Sequence, residues 1–174
     1  MEKGLIQVYT GNGKGKTTAA LGIALRAVGH GLKVFVIQFM KGKVRYGELE
    51  SAQKLSPHLT IKPVGRDAFV SKSHPDPADI ERAHDGFALA KKVIENGEYD
   101  IVILDEINVA IDYGLIPLVD LLNLVNSKPE SVELILTGRN AKLEILEKAD
   151  LVTEMVDRKH YYDKGISARK GIEI

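Results

Sequence analysis

The residues with the clearest chemistry lie near the start of the chain. Thr10-Gly11-Asn12-Gly13-Lys14-Gly15-Lys16-Thr17-Thr18 sits between a short apolar run and a stretch with helical periodicity. Glycines let consecutive backbone N–H groups turn toward an anion without a Cβ in the way. The N-terminus of the following helix adds a favourable dipole, Lys16 can reach phosphate oxygens, and the Thr17 hydroxyl can bind Mg²⁺. The usual pattern, G-x-x-x-x-G-K-[ST], has glycine where this chain has Thr10, so a strict pattern search passes it over. A glycine-rich turn with solvated lysines is the alternative, but a strand before and a helix after favour a nucleotide triphosphate site. Lys14, a second cation in the loop, reads equally as a phosphate contact or a solvated side chain.

Ile101-Val102-Ile103-Leu104-Asp105-Glu106 has the form of a buried strand delivering two carboxylates at its C-terminal end. Asp105 would hold Mg²⁺, directly or through water, opposite the phosphates. Glu106 would polarise an attacking water in an ATP hydrolase, or position metal or substrate elsewhere. Two acids at a helix start would also look like this. Thr137-Gly138-Arg139-Asn140 follows another apolar strand, so Arg139 either reaches a phosphate, carboxylate or amide, or belongs to a plain turn before a helix. Lys41 and Glu48 follow the second strand and face the same crevice, although alone they read as solvated. Arg158, Lys159, His160, Tyr161, Tyr162 and Lys164 gather cations and aromatics near the C-terminus, where a solvated edge is the simpler reading. No two histidines stand at i, i+4, so no histidine metal site is expected.

These residues need a scaffold. Apolar runs at 5–9, 33–39, 59–64, 101–104, 132–137 and 151–156 read as strands. Helical patterns begin at Lys16 and cover 46–55, 77 or 78 to 95, 117–126 and 141–148. Ala19, Ala20, Ile23, Ala24, Ala27 and Val28 carry the three- and four-residue spacing of the first helix. Residues 65–78, with Gly65, Pro75 and Pro77, read as a mobile loop. The alternation, with strands too continuously apolar to have a wet face, predicts an α/β fold. Its sheet would be six-stranded and mostly parallel, with helices on both faces. Binding in such a sheet is expected at the C-terminal strand ends.

The whole chain bounds the answer. Its 174 residues, without an internal repeat or linker, predict a single domain over 1–174. With 24 basic and 24 acidic side chains, the zero net charge argues against a general nucleic-acid or anionic-membrane binder. Zero cysteines exclude disulfides, thiolate metal sites and a cysteine nucleophile. No stretch approaches a membrane span and the N-terminus lacks secretory-signal character, so the chain is expected in the cytoplasm.

Taken in order, VYTGNGKGKTTAALGIALRAVGHG, QFMKGKVRYGE, VILDE, LTGRN, ADLVTEM and KHYYDKGISARKGIE closely resemble the ATP:corrinoid adenosyltransferases of the BtuR/CobA/CobO type. The resemblance runs from about residue 5 to the C-terminus. It implies a RecA-like P-loop NTPase fold and transfer of the 5′-deoxyadenosyl group of ATP to the Co(I) centre of a corrinoid, with triphosphate as the leaving group. The corrinoid would be cobalamin, cobinamide or cobyrinic acid a,c-diamide. It implies ATP bound reversed along the loop, so that Gly11, Asn12, Gly13, Lys14, Gly15, Lys16, Thr17 and Thr18 contact the triphosphate. Thr17 and Asp105 would be partners of Mg²⁺, with Mn²⁺ as the substitute. Lys16, Thr17, Asp105 and Glu106 would be the catalytic set; Lys41, Glu48, Phe69, Arg139, Lys159 and His160 would face the corrinoid. The resemblance also implies a homodimer and a transient reductase such as a flavoprotein.

Cobalt(I) is itself a powerful nucleophile, so such an enzyme needs no general base, only positioning and charge stabilisation of the departing triphosphate. Excluding water would protect the reduced cobalt, so loop 65–78 or the C-terminal segment is expected to close over the site. Two departures from longer members stand out: this chain begins directly at the first strand, and Phe69 is the sole aromatic in the loop after the third. A P-loop ATPase or small-molecule kinase, and a non-catalytic corrinoid-delivery module, are the competing readings.

Overall fold

A computed structural model describes residues 2–42 and 46–174. Residues 43–45 of the QFMKGKVRYGE segment lie outside the described residues. Six strands form one sheet in the order β3-β2-β4-β5-β1-β6. They are β1 Ile6–Thr10, β2 Val34–Gln38, β3 Leu59–Pro63, β4 Ile101–Asp105, β5 Glu133–Thr137 and β6 Leu151–Glu154. Every adjacent pair is parallel, so all the C-terminal strand ends share one edge.

The helices are α1 Lys16–Gly29, α2 Gly47–Lys54, α3 Pro77–Asn96, α4 Ile107–Asp112, α5 Leu118–Ser127 and α6 Leu143–Leu146. α3 starts where Asp76 accepts from the Ala78 N–H and Pro77 presets the first turn; it stops at Gly97 in the left-handed region. α4 is new relative to the sequence reading, which had no element between the fourth strand and Pro117. Its six residues are too few for periodicity to register, and tertiary packing holds them instead.

The strand side chains alternate between two cores, which is why these runs are apolar throughout. Phe35, Ile37, Val102, Leu104, Leu134 and Leu136 pack on one face with α3, α4 and α5. Val34, Val36, Ile101, Ile103 and Ile135 pack on the other against Ala20, Ala24 and Ala27 of α1, whose small side chains let that helix lie close. Each fully buried aliphatic side chain contributes about 1.5–3 kcal/mol. β6 departs from the expectation of strands without a wet face. It is an edge strand, exposed along its length, with Leu151 and Val152 open to solvent.

Among the described residues, three that are not glycine take left-handed φ values near +60°: Met40, Glu106 and Asn140. Each lies within three residues after a strand, β2, β4 and β5 respectively. Such conformations cost on the order of 1–3 kcal/mol each and collect where a site dictates the backbone.

Candidate active site

The phosphate loop runs from the end of β1 to the first turn of α1. Thr10 replaces the usual glycine because it is still strand: it pairs with Glu154 of β6, and its hydroxyl accepts from the Ala141 N–H at 3.3 Å. Glycine is required next. Gly11 has φ +93°, and a Cβ on Gly11 or Gly13 would stand 2.5 or 2.7 Å from the Met155 carbonyl oxygen. That oxygen accepts from the Gly13 N–H at 2.7 Å, which pins the loop to the chain leaving β6.

Lys16 is buried, and its Nζ donates to the carbonyls of Gly11 at 2.7 Å and Gly13 at 2.8 Å. Burial pushes its pKa down, and Arg139 adds to this against the opposing pull of Glu106 and Asp105. Lys14 reaches the C-terminal segment, pairing with the Glu173 carboxylate at 3.1 Å and donating to the Ile172 carbonyl at 3.2 Å. Asn12 is exposed.

Asp105 is the centre of the arrangement and is 1% exposed. Its Oδ1 accepts from the Thr17 hydroxyl at 2.8 Å and the Thr137 hydroxyl at 2.7 Å. Its Oδ2 accepts from Lys41 Nζ at 3.0 Å and Gln38 Nε2 at 3.2 Å. Gln38 also donates to Glu48 Oε1 at 3.1 Å, and Lys41 lies 3.6 Å from the same oxygen. Burial alone would lower the Lys41 pKa, but Asp105 and Glu48 outweigh it and raise it. Thr17 and Asp105 thus place a hydroxyl and a carboxylate oxygen side by side, hard donors that suit a small divalent cation completed by phosphate and water. Among the described residues, no three His, Asp or Glu side chains form an all-protein metal cluster.

Glu106 occupies the N-cap position of α4, yet its side chain makes no capping bond. Its N–H donates to the Thr137 hydroxyl at 2.9 Å. Burial and then Asp105 push its carboxyl pKa up, opposed by Lys41, Lys16 and Arg139.

A cleft of about 790 Å³ opens over these groups. The loop lines it from Gly13 to Thr18, and Lys41, Glu48, Arg139 and His160 reach it from other elements. α4 contributes Glu106, Val109 and Tyr113, the last just past the helix end; the spacing i, i+3, i+7 gives them one face. Phe69, 92% exposed, and the exposed Lys159 are not among the lining residues, so the structure does not bring them together with the other sequence candidates. Of the two segments expected to close over the site, the C-terminal one contributes Gly171, Ile172, Glu173 and Ile174 to the wall. Loop 65–76 contributes no residue to the wall: Gly65 N–H donates to the Lys41 carbonyl, Arg66 forks onto Asp79, and Val70 is buried in the core.

A family profile described as "ATP:corrinoid adenosyltransferase BtuR/CobO/CobP" matches residues 2–174. The chain belongs to the ATP:corrinoid adenosyltransferase family. Among similar proteins, the "Corrinoid adenosyltransferase" of Escherichia coli K12 is 40% identical over 172 residues, spanning 99% of this chain and 86% of that one. A Pseudomonas aeruginosa protein of the same name is 35% identical over 173 residues, spanning 99% and 85%. "Corrinoid adenosyltransferase CobA" of Salmonella typhimurium is 38% identical over 172 residues, spanning 99% and 86%. Solved structures resemble the fold alone. The KaiC-like protein PH0186 of Pyrococcus horikoshii aligns with a TM-score of 0.56 at 16% identity, over 87% of this chain and 73% of its own. Flagellar accessory protein FlaH of Methanocaldococcus jannaschii gives 0.53 at 16% identity, over 88% and 72%. The adenosyltransferase fold here is therefore RecA-like α/β. No helix among the described residues is long and apolar enough to cross a membrane.

Several residues of this adenosyltransferase site were missed from sequence. Gln38 and Thr137, both fully buried, end strands β2 and β5 and carry the bonds that fix Asp105. Their signal was a polar residue closing an apolar run at the edge where sites form. Val109 and Tyr113 depend on α4, which has no local signature.

Proposed function

We propose that this chain transfers the 5′-deoxyadenosyl group of ATP to the Co(I) centre of a corrinoid, in the making or salvage of adenosylcobalamin. Its observed support is the phosphate loop joined to Asp105 through Thr17 inside a family match spanning the chain. The cobalt electron pair forms the bond to C5′, the C5′–O bond breaks, and triphosphate leaves with that bond's electrons. Loop N–H groups and Lys16 bind the triphosphate and take up its growing charge. To do so, Lys16 exchanges the carbonyls of Gly11 and Gly13 for phosphate oxygens.

Thr17 and Asp105 hold Mg²⁺, for which their oxygens are suited, and Mn²⁺ substitutes. The metal supplies Lewis-acid neutralisation of the phosphate oxygens. Arg139, Lys41, Glu48 and His160 orient the corrinoid's peripheral groups; Phe69 and Lys159 act from outside the cleft wall. The cation-rich setting of Glu106 suits a positioning carboxylate, since cobalt needs no base. Residues 1–174 act as one domain in the cytoplasm, as read from the sequence; the homodimer and the flavoprotein-type reductase rest on the family alone.

The test is anaerobic turnover of the protein with MgATP and chemically reduced cobalamin, with products resolved by chromatography. Light-sensitive adenosylcobalamin and stoichiometric triphosphate are expected. ADP with no cobalt–carbon bond would replace this reading with a kinase or ATPase, and saturable corrinoid binding without turnover would replace it with a delivery module.

A further inference from the structure

Asp112 closes α4 and does not line the cleft, yet it gathers side chains from two distant segments, the loop after β3 and the stretch after β5. Its Oδ2 accepts from Lys72 Nζ at 2.7 Å and Asn140 Nδ2 at 2.8 Å; its Oδ1 accepts from Lys142 Nζ at 2.8 Å. The carboxylate is 7% exposed. Burial would push its pKa up, but Lys142, Lys72 and Asn140 prevail and hold it well below the usual carboxylate range.

Each partner leads to the cleft. Asn140, in the left-handed region, directly follows Arg139, which lines the wall. Lys72 belongs to loop 65–76 and also lies 5.8 Å from the ring centre of Tyr113, another wall residue. α4 itself presents Glu106 and Val109 to the cleft. None of these groups belongs to the phosphate loop. An aliphatic and an aromatic side chain beside a guanidinium suit a broad apolar macrocycle with amide or carboxylate arms.

We infer that Asp112 is a positioning residue for the corrinoid half of the cleft, clamping the Arg139 turn and the Lys72 loop onto α4 so that Arg139, Val109 and Tyr113 form one preformed wall. The inference rests on the transferase reading. It differs from a purely structural role in what it predicts: structural damage lowers the fraction of folded enzyme, whereas loss of a preformed wall weakens one substrate and spares the other.

The experiment uses the full-length protein with Asp112→Asn, Asp112→Glu, Lys72→Met and Lys142→Met. Steady-state KM is measured for ATP and for reduced cobalamin, with cobalamin binding followed separately by equilibrium dialysis. Asp112→Asn is expected to raise KM and the dialysis constant for the corrinoid on the order of tenfold, about one charge-assisted hydrogen bond. KM for ATP should stay within about twofold. Asp112→Glu should recover part of the loss. Lys72 is more than half exposed, so Lys72→Met tests the loop arm without threatening the fold; it should raise the corrinoid values by a smaller factor. A joint rise in both KM values, or a corrinoid constant unchanged in Asp112→Asn and Lys72→Met, overturns the inference. A wild-type chain that neither adenosylates nor binds cobalamin overturns the transferase reading, and the inference falls with it.

Discussion

Thr137 offers the sharpest test of how the site is held. Its fully buried hydroxyl donates to Asp105 Oδ1 and accepts from the Glu106 N–H, so one oxygen fixes a carboxylate and a left-handed backbone together. Thr137→Val keeps the shape and removes that oxygen. Losing the charge-assisted bond to Asp105 costs about 1.5–3 kcal/mol, and leaving the Glu106 N–H unpaired about 1–3 kcal/mol more. The two share one atom and do not add fully, and Asp105 keeps Thr17, Gln38 and Lys41; the net is about 3 kcal/mol. At this chain length each kcal/mol moves Tm by about 2–4 °C, so a fall of roughly 6–12 °C is expected in a thermal melt. Thr137→Ser keeps the oxygen and drops a methyl group, for about 1 kcal/mol. The gap between the two variants isolates the hydroxyl. Equal melting within about 2 °C would refute the bridging role.

Glu106 makes a pH prediction. Its pKa is raised in the fold, so its contribution to stability is fully present below the unfolded value of 4.5 and is lost as pH rises through the raised value. Glu106→Gln should therefore melt higher than wild type at neutral pH and converge with it below pH 4.5; a constant offset across the range would show that ionisation is not the cause. At the other end of the cleft, Glu173 holds Lys14, and triphosphate must share that lysine or take it. Glu173→Gln should lower KM for ATP, by on the order of twofold for a partly exposed pair, with the gain shrinking in high salt. A raised KM would make the tail a supporting wall of the nucleotide site.

What could be read from sequence follows from physics that is local along the chain. The strand–glycine–helix arrangement of 10–18 needs only φ freedom and a dipole, so the loop was legible despite Thr10. The buried strand ending in Asp105 was legible for the same reason: apolar continuity and a terminal acid are properties of one segment. Thr17 and Asp105 were paired through family resemblance, and the structure puts their oxygens 2.8 Å apart. Lys41, which the resemblance turns toward the corrinoid, lines the cleft and is also bonded to Asp105; that second role was not legible, because a carboxylate buried that deeply calls for a cation and sequence does not reveal how deep it lies. Lys14 found Glu173 across 158 intervening positions of chain, a contact with no local trace. Phe69 remains at the surface because its neighbour Val70, rather than the aromatic, is the residue that plugs the core.

The strand order explains why Thr137 must be there at all. The phosphate loop leaves β1 and the acids leave β4, and β5 lies between them. At about 4.8 Å per strand, the two ends are separated by roughly 10 Å. Thr17 bridges that gap from the first turn of α1, and Thr137 fills it from below; both meet at the same carboxylate oxygen. The loop and Asp105 therefore cannot shift independently. Glu106 follows Asp105 directly and opens α4, and its N–H donates to the Thr137 hydroxyl, so the wall that carries Val109 and Tyr113 is tied through Thr137 and Asp105 to the loop. A reaction between a nucleophile on one substrate and C5′ of another depends on their relative placement, where an error near 1 Å costs about 10²-fold. A hydroxyl that joins the two halves of the cleft contributes to rate without touching either substrate.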